Sequence, residues 1–490
     1  MKPDNTICND KMTVEECELA ILRNAVDETE KIQKGKLANT EDVKKMIAIL
    51  EDFLRKTKAV CYGGTAINNI LPEDAQFYDR SVEIPDYDFF IQNAAEKAKE
   101  LADLYYAAGF QETEAKSGVH KGTYKVFVNY IPMADITELN PNIFKAIQKD
   151  AIVIDGIRYA PPNYLRMSMF LELSRPAGDV SRWEKVLKRL TLLNKHHPMK
   201  TPYNCRKVEI ESNRKKITPK MEKVFFTLRE ILTKQKVVFF GGYAESLYLQ
   251  HIKGKEHGLP RIPDFDVISE DPKKCVTIIK EQFAAEGIRQ VKIVEHPSLD
   301  DVIPEHIQVL VGGVTVAFIF KPIACYNYNE VKFGHHKVMI ATIDTMLSFY
   351  LAFAYSGQSY FDVERILCMA QFLFDIEEDN RLNNKGILKR FSANCYGEQH
   401  SLASIRAEKS DKFKELKEKG IKPDSPEWNE WFFKYSPGAK GEPSEEKPAR
   451  KTRAKYEYKS VPSKRNRTQR KRRPFTLFGR RKSSNRNSLF

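Results

Sequence analysis

Two acidic residues separated by one position lie in the apolar segment IPDYDFF, residues 84–90. Alternate residues of a β-strand point to the same face, so Asp86 and Asp88 are predicted to project together. Two carboxylates this close repel each other unless a cation neutralises them, and hard oxygen ligands favour Mg²⁺. Two such ions about 3.5–4 Å apart can activate an attacking oxygen and stabilise a leaving pyrophosphate. A solvated pair of acids in a loop is the simpler alternative.

A pair of glycines stands before these acids, at the end of a short apolar segment. Residues 60–62 predict a strand, Gly63 and Gly64 follow it, and the letters TAINNIL from Thr65 onward predict a helix. Glycine lets a backbone approach a ligand closely, and a helix N-terminus offers free N–H groups and a positive dipole end. The pattern predicts a phosphate cradle, although a glycine pair alone is more often an ordinary turn. The position of the glycine pair before an Asp-x-Asp pair favours the phosphate cradle over the ordinary turn.

A third carboxylate on a neighbouring strand is needed to complete the metal shell and to orient an attacking hydroxyl. Asp135 is the candidate, because it ends an apolar, strand-like segment that begins at Tyr124, where a lone acid needs an explanation. Glu138 and Asp155 are the weaker alternatives.

The glycines and acids occur twice. The segment AVCYGGTAINNILP with IPDYDFF is matched by VVFFGGYAESLYLQ with IPDFDVIS, at a constant offset of 178 residues. Similar helical and strand-like patterns follow both copies, so two units of about 170 residues with one α+β plan are predicted. Asp264 and Asp266 repeat the acid pair, but Phe318 aligns with Asp135, so the second unit is predicted to be non-catalytic. The alternative is a slipped alignment in which Asp300 or Asp301 serves.

The predicted fold class is therefore α+β, with two tandem units built on mixed sheets, further helical segments and a disordered basic tail. Residues 12–60 predict two helices, the first with the capping-box spacing of Thr13 and Glu16. The predicted parts are an N-terminal helical segment, a catalytic domain, a second non-catalytic domain, a helical extension and the tail: residues 1–39, 40–195, 196–385, 386–438 and 439–490.

A basic helical segment, Ser174–Leu190, follows the first unit's sheet. It contains Arg182, Lys185, Lys188 and Arg189, some of which share a helix face at spacings of three and four residues. These side chains could reach a bound phosphate group, and Lys185 is the first choice among them. A solvated basic face is an equally weighted alternative.

The net charge of +14 belongs entirely to the C-terminal tail. Residues 439–490 contain 18 Lys/Arg and 4 Asp/Glu, which leaves the rest of the chain neutral with 62 residues of each sign. Three basic clusters surround Phe475 and Phe478, a pattern suited to RNA phosphates and bases. A solubilising tail and a nuclear localisation signal are the alternatives.

The remaining composition excludes several classes of protein. No apolar stretch of about 18 residues predicts a membrane span, and the N-terminus has no apolar signal sequence. The eight cysteines show no CxxC spacing, so reduced thiols are expected rather than a zinc site or a disulfide framework.

These motifs resemble a known family. Gly-Gly, a helix, Asp-x-Asp and a distal Asp are similar to the DNA polymerase β nucleotidyltransferase superfamily. The duplication, with IPDYDFF, MADIT and LSRPAGDVSRWEKVLKRL, resembles the poly(A) polymerase catalytic subunits of large cytoplasmic DNA viruses, over roughly residues 40–380. One departure is the 21-residue separation of Gly64 from Asp86, in which QFYDRSVEIP is an insertion.

The resemblance implies an enzyme that adds AMP from ATP to an RNA 3′-OH with Mg²⁺ or Mn²⁺. Asp86, Asp88 and Asp135 would then ligate the metals, while Gly63, Gly64, Thr65 and Lys185 would hold the nucleotide: this is the expected set of site residues. The viral family implies the host cytoplasm, a viral factory or the virion as the location, and a homodimer or a separate processivity subunit as the assembly.

Two other functions stay open at this stage. One is a non-catalytic RNA-binding or processivity subunit on the same fold, which is the role that the second unit already suggests. The other is an RNA terminal nucleotidyltransferase of different base choice, such as a CCA-adding or uridylyl enzyme. Base choice depends on a few pocket groups that fold resemblance does not specify.

Overall fold

Local sequence signals place the elements that lead to the first glycine pair. The side chain of Thr13 accepts a hydrogen bond from the N–H of Glu16, whose carboxylate returns one, so the predicted capping box starts the first helix. The side chain of Thr40 caps the second helix by accepting a hydrogen bond from the N–H of Val43, and the helix's apolar positions 43, 46, 50, 53 and 54 are buried.

The structure is a computed structural model that describes residues 7–8, 12–201, 205, 218–248, 251, 264–333, 336–423 and 425–438. The helices are α1 (Val14–Ala38), α2 (Glu41–Thr57), α3 (Gly63–Ile70), α4 (Ala94–Ala107), α5 (Pro141–Lys149), α6 (Pro162–Leu173), α7 (Trp183–His196), α8 (Pro219–Lys234), α9 (Gly241–Tyr248), α10 (Pro272–Ala285), α11 (Ile343–Phe353), α12 (Val363–Asp379), α13 (Leu402–Glu418) and α14 (Pro426–Phe432).

The strands are β1 (Val60–Tyr62), β2 (Tyr87–Phe90), β3 (Thr113–Ser117), β4 (Thr123–Val128), β5 (Ile131–Thr137), β6 (Ile152–Ile154), β7 (Ile157–Tyr159), β8 (Val238–Phe240), β9 (Phe265–Ile268), β10 (Val291–His296), β11 (His306–Val311), β12 (Val314–Phe320), β13 (Tyr326–Phe333), β14 (His336–Ala341), β15 (Cys395–Tyr396) and β16 (Lys434–Tyr435).

The strands form two mixed sheets of eight, which confirms the predicted α+β class. Their orders are β16-β3-β4-β5-β2-β1-β7-β6 and β10-β11-β12-β9-β8-β14-β13-β15. Seven strands of each sheet correspond one to one in order and direction. Even the irregularity in the pairing of β4 with β5 recurs between β11 and β12. The internal repeat in the sequence is therefore a repeat of topology.

The two sheets are joined by the helices that follow them. Helix α6 packs against its counterpart α11, and the ring of Tyr164 meets that of Tyr355 edge-on at 5.5 Å. The N–H of Asn327 donates to the carbonyl of Ser174 at 2.8 Å across the same junction. The buried apolar residues of both sheets belong to one continuous core, so the units support each other.

The C-terminal extension adds an eighth strand to each sheet. Strand β15 pairs with β13, and β16 pairs with β3 at the edge of the first sheet. Ser117 on β3 fixes this edge, because its N–H donates to the carbonyl of Phe433 at 2.8 Å and its hydroxyl to that of Trp431 at 2.9 Å. The extension thereby covers one end of the sheet that carries the acid pair.

The expectation of reduced thiols is wrong for six of the eight cysteines. Disulfides join Cys8 to Cys17, Cys205 to Cys368 and Cys325 to Cys395, while Cys61 and Cys275 are free and buried. Partners up to 163 residues apart in sequence meet only in the folded chain, so spacing alone could not indicate them.

Thiol labelling should report this pairing directly. We expect iodoacetamide to modify two cysteines in the denatured, unreduced protein and all eight after reduction, as counted by intact mass. In the native protein the two free thiols should react slowly, because both are buried and burial raises the pKa of Cys275 to about 12. Eight labelled residues without reduction would contradict the three disulfides.

The described residues as far as Gly438 form one compact unit. The proposed boundaries within it, after residues 39, 195 and 385, stay predictions. The predicted disordered tail, residues 439–490, lies outside the described residues. Within the described part, no helix is both long enough and apolar enough to cross a membrane.

Candidate active site

The acid pair lies at the start of β2, next to the strand that carries Asp135. In the parallel pairing of β2 with β5, Asp88 stands opposite Asp135, and Asp88 also faces Tyr62 on β1. Side chains at paired positions of neighbouring strands share one face of a sheet. The structure therefore brings together the three predicted acids, with Asp86 two residues before Asp88.

The glycine pair ends β1 and begins α3. Gly63 has a φ of +73°, which favours glycine, and a Cβ there would collide with the carboxylate of Asp88. At Gly64 a Cβ would lie 2.6 Å from the Tyr78 hydroxyl and 2.9 Å from Nη1 of Arg189. Both glycines are thus needed for close approach, Gly63 to the carboxylate of Asp88 and Gly64 to the side chains of Tyr78 and Arg189.

Thr65 positions the acid pair. Its side chain is buried, and its hydroxyl donates to the backbone carbonyl of Asp86 at 2.6 Å. This bond ties the first turn of α3 to the segment that enters β2. The hydroxyl is therefore engaged within the protein, and the part of Thr65 that remains available to a phosphate is its backbone N–H at the helix start.

The acids carry the electrostatic signs of a cation site. Loss of water raises the pKa of Asp88 to about 7, and the negative charges of Asp86 and Asp135 add to the rise. Desolvation, followed by the charge of Asp135, also raises the pKa of Asp86, although its side chain reaches the surface. The cations Lys125 and Arg182 act in the opposite direction at Asp88.

Lys125 on β4 forms an ion pair with Asp135, which stands opposite it in the antiparallel pairing of β4 with β5. As the side chains are placed, no group of three or more His, Cys, Asp or Glu among the described residues is close enough to hold a metal ion. The donor set still has the chemistry that a hard divalent cation prefers, because three carboxylates share one face of the sheet.

A basic surface from α7 and the turn before it faces the glycine pair. Arg189 is the nearest of its cations, since its guanidinium donates to the Tyr78 hydroxyl at 2.5 Å and lies over the rings of Phe77 and Tyr78. Partial burial, and then the neighbouring charges of Arg189 and Arg182, lower the pKa of Lys185. The three like charges form a basic surface beside the N-terminus of α3, which is the kind of surface that suits an anion.

The sequence favoured Lys185 within this surface, whereas the structure places Arg189 closest to Gly64. The signal that could have found it is the spacing of three and four residues that sets Arg189 one turn beyond Lys185. Lys188 has a different role, because its ammonium pairs with Glu184 at 2.6 Å on the solvent side. Arg182 pairs with Glu172 at 3.2 Å.

The weaker alternatives for the third acid lie elsewhere. Glu138 accepts a hydrogen bond from the N–H of Ala94 at the start of α4. Asp155 occupies the β6–β7 turn with a φ of 51°, and its carbonyl accepts a hydrogen bond from Arg55 at 2.9 Å. Neither is opposite Asp88 in the sheet.

The second unit keeps the close approach of its first glycine to an acid, Gly241 to Asp266, but lacks the third acid. Phe318 stands opposite Asp266, as Asp135 stands opposite Asp88, so the alignment from sequence was in register. Asp300 and Asp301, the alternative acids, lie between β10 and β11 rather than opposite Asp266, and Asp300 accepts a hydrogen bond from the N–H of Asn140. Arg365 at the start of α12 acts on the charge of Asp266, as Arg182 does on that of Asp88.

Aromatic side chains fill the place of the missing acid. His306 on β11 is buried and stacked on Phe320 at 4.6 Å, and Phe318 stacks on Tyr360 at 5.6 Å. The Nδ1–H of His306 donates to the carbonyl of Pro304, while Nε2 accepts from the Tyr360 hydroxyl, both at 2.9 Å. This second site is packed as core.

The buried imidazole should make the fold acid-sensitive. Burial, helped by His296, lowers the pKa of His306 to about 4 from 6.5, so the unfolded chain takes up this proton first as the pH falls. The free energy of unfolding should then drop by about 3 kcal/mol through this group between pH 6.5 and pH 4. Urea denaturation of the wild type and of His306→Gln at both pH values measures it. An equal decrease in the free energy of unfolding for the wild type and His306→Gln would contradict the prediction.

The comparisons with known proteins agree with this geometry. Residues 48–179, which contain the glycine pair and all three acids, match the family model for the poly(A) polymerase catalytic subunit. The resemblance predicted from the sequence is therefore confirmed.

Particular relatives come from large DNA viruses. A protein of African swine fever virus, provisionally named as a poly(A) polymerase catalytic subunit, is 30% identical over 174 residues, or 34% of this chain and 36% of that protein. A protein of the same provisional name from Acanthamoeba polyphaga mimivirus is 31% identical over 161 residues, 31% of this chain and 26% of its own length. The matched region thus spans about a third of these relatives or less.

The whole fold also matches a solved structure. The crystal structure of the Megavirus polyadenylate synthase superimposes with a TM-score of 0.71 over 88% of this chain and 87% of that chain, at 19% identity. The likeness covers both sheets and establishes that the two chains share their fold.

Proposed function

We propose that this chain is a template-independent poly(A) polymerase that transfers AMP from ATP to the 3′-OH of RNA and so makes mRNA poly(A) tails. The observation that carries the proposal is the opposition of Asp88 and Asp135 on adjacent parallel strands, beside the glycine turn that begins α3. The similarity of residues 48–179 to poly(A) polymerase catalytic subunits supports the choice of reaction.

Asp86, Asp88 and Asp135 would hold Mg²⁺ or Mn²⁺. The metal ions would supply positive charge to the attacking 3′ oxygen and to the leaving pyrophosphate. Asp135 has a second contribution, because it can orient the hydroxyl from the strand next to the acid pair. Lys125 forms an ion pair with Asp135 and so supplies a positive charge beside the acids.

The triphosphate of ATP would lie between the glycine turn and the basic surface. The N–H groups at the start of α3 and the cations Lys185 and Arg189 can meet its oxygens from two sides. Arg182 can also bind the triphosphate if its ion pair with Glu172 breaks. The side chains of this pair are 56% exposed for Arg182 and 30% exposed for Glu172. The charge of the triphosphate matches a surface on which cations outnumber their acidic partners.

A primer-extension assay tests the proposal. Purified full-length protein, a labelled single-stranded RNA and Mg²⁺ are incubated with each of the four NTPs separately. Long products with ATP support poly(A) synthesis, whereas efficient use of UTP, or of CTP followed by ATP, would assign a uridylyl or CCA-adding activity. No extension with any NTP, together with RNA binding, would favour the non-catalytic subunit.

We further propose that the protein acts in the host cytoplasm, at viral factories or in virions, either as a homodimer or with a separate processivity subunit. The viral relatives support this location. Immunofluorescence and virion proteomics test the location, and light scattering of the purified protein tests self-association.

A further inference from the structure

One continuous row of side chains crosses the first sheet from the acids to its edge. The register pairs Tyr62 with Asp88, Asp88 with Asp135, Asp135 with Lys125, Lys125 with Lys116, and Lys116 with Lys434. Members of such a row share a face and are separated by roughly 4.8 Å per strand. The acids therefore continue directly into three lysines on β4, β3 and β16.

Helix α13 of the C-terminal extension lies over the basic end of this row. The two enclose a cleft of about 320 Å³ whose lining includes Lys116, Lys125, Arg406 and Lys409. Lys409 fastens the helix to the sheet, since its ammonium donates to the carbonyl of Gly118 at 2.8 Å. No acidic side chain belongs to the described lining, so the cleft presents cations from both of its walls.

Two acids near the row balance only part of this charge. Glu114 pairs with Lys116 at 2.7 Å and with Lys434 at 3.4 Å, and Asp135 pairs with Lys125. Arg406 is exposed, and burial lowers the pKa of Lys409, so the cleft would gain from an added anion. The four cations that line the cleft, against these two carboxylates, leave a net charge of about +2.

The corresponding row of the second unit is a control within the same chain. Its members are Phe240, Asp266, Phe318, Gln308 and Val294, and among the described residues no extension strand adds to β10 at its edge. The lysines thus accompany the third acid and are absent where that acid is absent. A solvated basic face without a role would not require this association.

We infer that the cleft between α13 and strands β3 and β4 binds the phosphates of the acceptor RNA strand and leads its 3′ end along the row to Asp135. The inference rests on the proposed function, because it names the path of that enzyme's acceptor. Recognition by lysine and arginine alone does not depend on base sequence, which suits a product that grows without a template.

The test is the double variant Lys116→Ala/Arg406→Ala. Its matched control is Lys414→Ala, which removes a cation from the same helix that is 66% exposed and paired with Asp411. Fluorescence anisotropy with a labelled 12-nucleotide oligo(A) is measured between about 0.05 and 0.3 M salt. The slope of log K against log salt is negative, and each lost phosphate contact should make it less steep by about 0.7. Each lost contact should also weaken binding roughly fivefold at 0.1 M salt.

In primer extension, the double variant should raise the KM for RNA by more than about tenfold and leave the KM for ATP within about twofold. A salt slope and an RNA KM equal to those of the control would overturn the inference while leaving a polymerase in place. Failure of the wild type to extend any primer would instead remove the proposed function, and the salt slopes would still decide whether the cleft binds RNA. A thermal melt of each variant confirms that it is folded.

Discussion

Asp88→Asn should abolish primer extension, with a fall in kcat of at least about 10³-fold. The substitution keeps the size of the side chain and removes the charge that a metal ion needs, and such ions supply several kcal/mol of transition-state stabilisation. Asp135→Asn should have an effect of similar size, because that carboxylate stands opposite Asp88 and also has to orient the attacking hydroxyl. Steady-state extension with saturating ATP and RNA measures both.

The fold should tolerate this change. Burial and the neighbouring acids raise the pKa of Asp88 to about 7, so ionisation of this group costs the folded protein free energy above the ordinary carboxyl pKa of 3.8. Neutral asparagine avoids that cost, and the melting temperature at pH 7 should therefore not decrease. A lost activity with an unchanged or higher melting temperature indicates a chemical role rather than a structural one.

The repeat provides a matched control for the same experiment. Asp266→Asn changes the equivalent residue of the second unit, where Phe318 occupies the place of the third acid. We expect its activity to stay within about twofold of wild type, since burial and Asp264 already raise the pKa of Asp266 well above its ordinary value. Equal losses in Asp88→Asn and Asp266→Asn, or retained activity in Asp88→Asn, would contradict the assignment of catalysis to the first unit.

Much of this site could be predicted from the sequence because its parts are close together in the chain or are repeated. Gly63 and Asp88 have equivalents at one constant offset, and a two-residue spacing on a strand fixes a common face without knowledge of the fold. The match of Phe318 to Asp135 also follows from local patterns, and the register of both sheets agrees with it.

The missed features depend on contacts between distant segments. Ser117 meets Trp431 across 314 residues, and Lys409 of α13 meets Gly118 across 291, so the cleft under α13 depends on contacts between distant segments. Arg189 is positioned by a hydrogen bond to Tyr78, which is 111 residues away in sequence. Tyr78 lies within the insertion between Gly64 and Asp86. The disulfide between Cys325 and Cys395 likewise has no local signature. Periodicity and spacing specify elements and faces, but they do not specify which loops meet.

Arg189→Met should raise the KM for ATP by about 10- to 100-fold with a smaller change in kcat. A hydrogen bond to a charged group contributes about 1.5–3 kcal/mol, and the guanidinium is the cation nearest to the glycine turn where the triphosphate is proposed to lie. Methionine keeps the apolar contact with Phe77 and Tyr78 and removes only the charge and its donors. Extension rates measured against ATP concentration, at saturating RNA, give both constants.

Two further variants separate charge from geometry at this position. Lys188→Met is the matched control on the same helix, because Lys188 is 73% exposed and paired with Glu184, and its KM for ATP should stay within about twofold of wild type. Arg189→Lys keeps the charge but loses the planar group that lies over the two rings, so it should recover only part of the affinity. Equal KM values for Arg189→Met and Lys188→Met would place the triphosphate elsewhere. An increase confined to Arg189→Met would locate the triphosphate between this guanidinium and the N-terminus of α3.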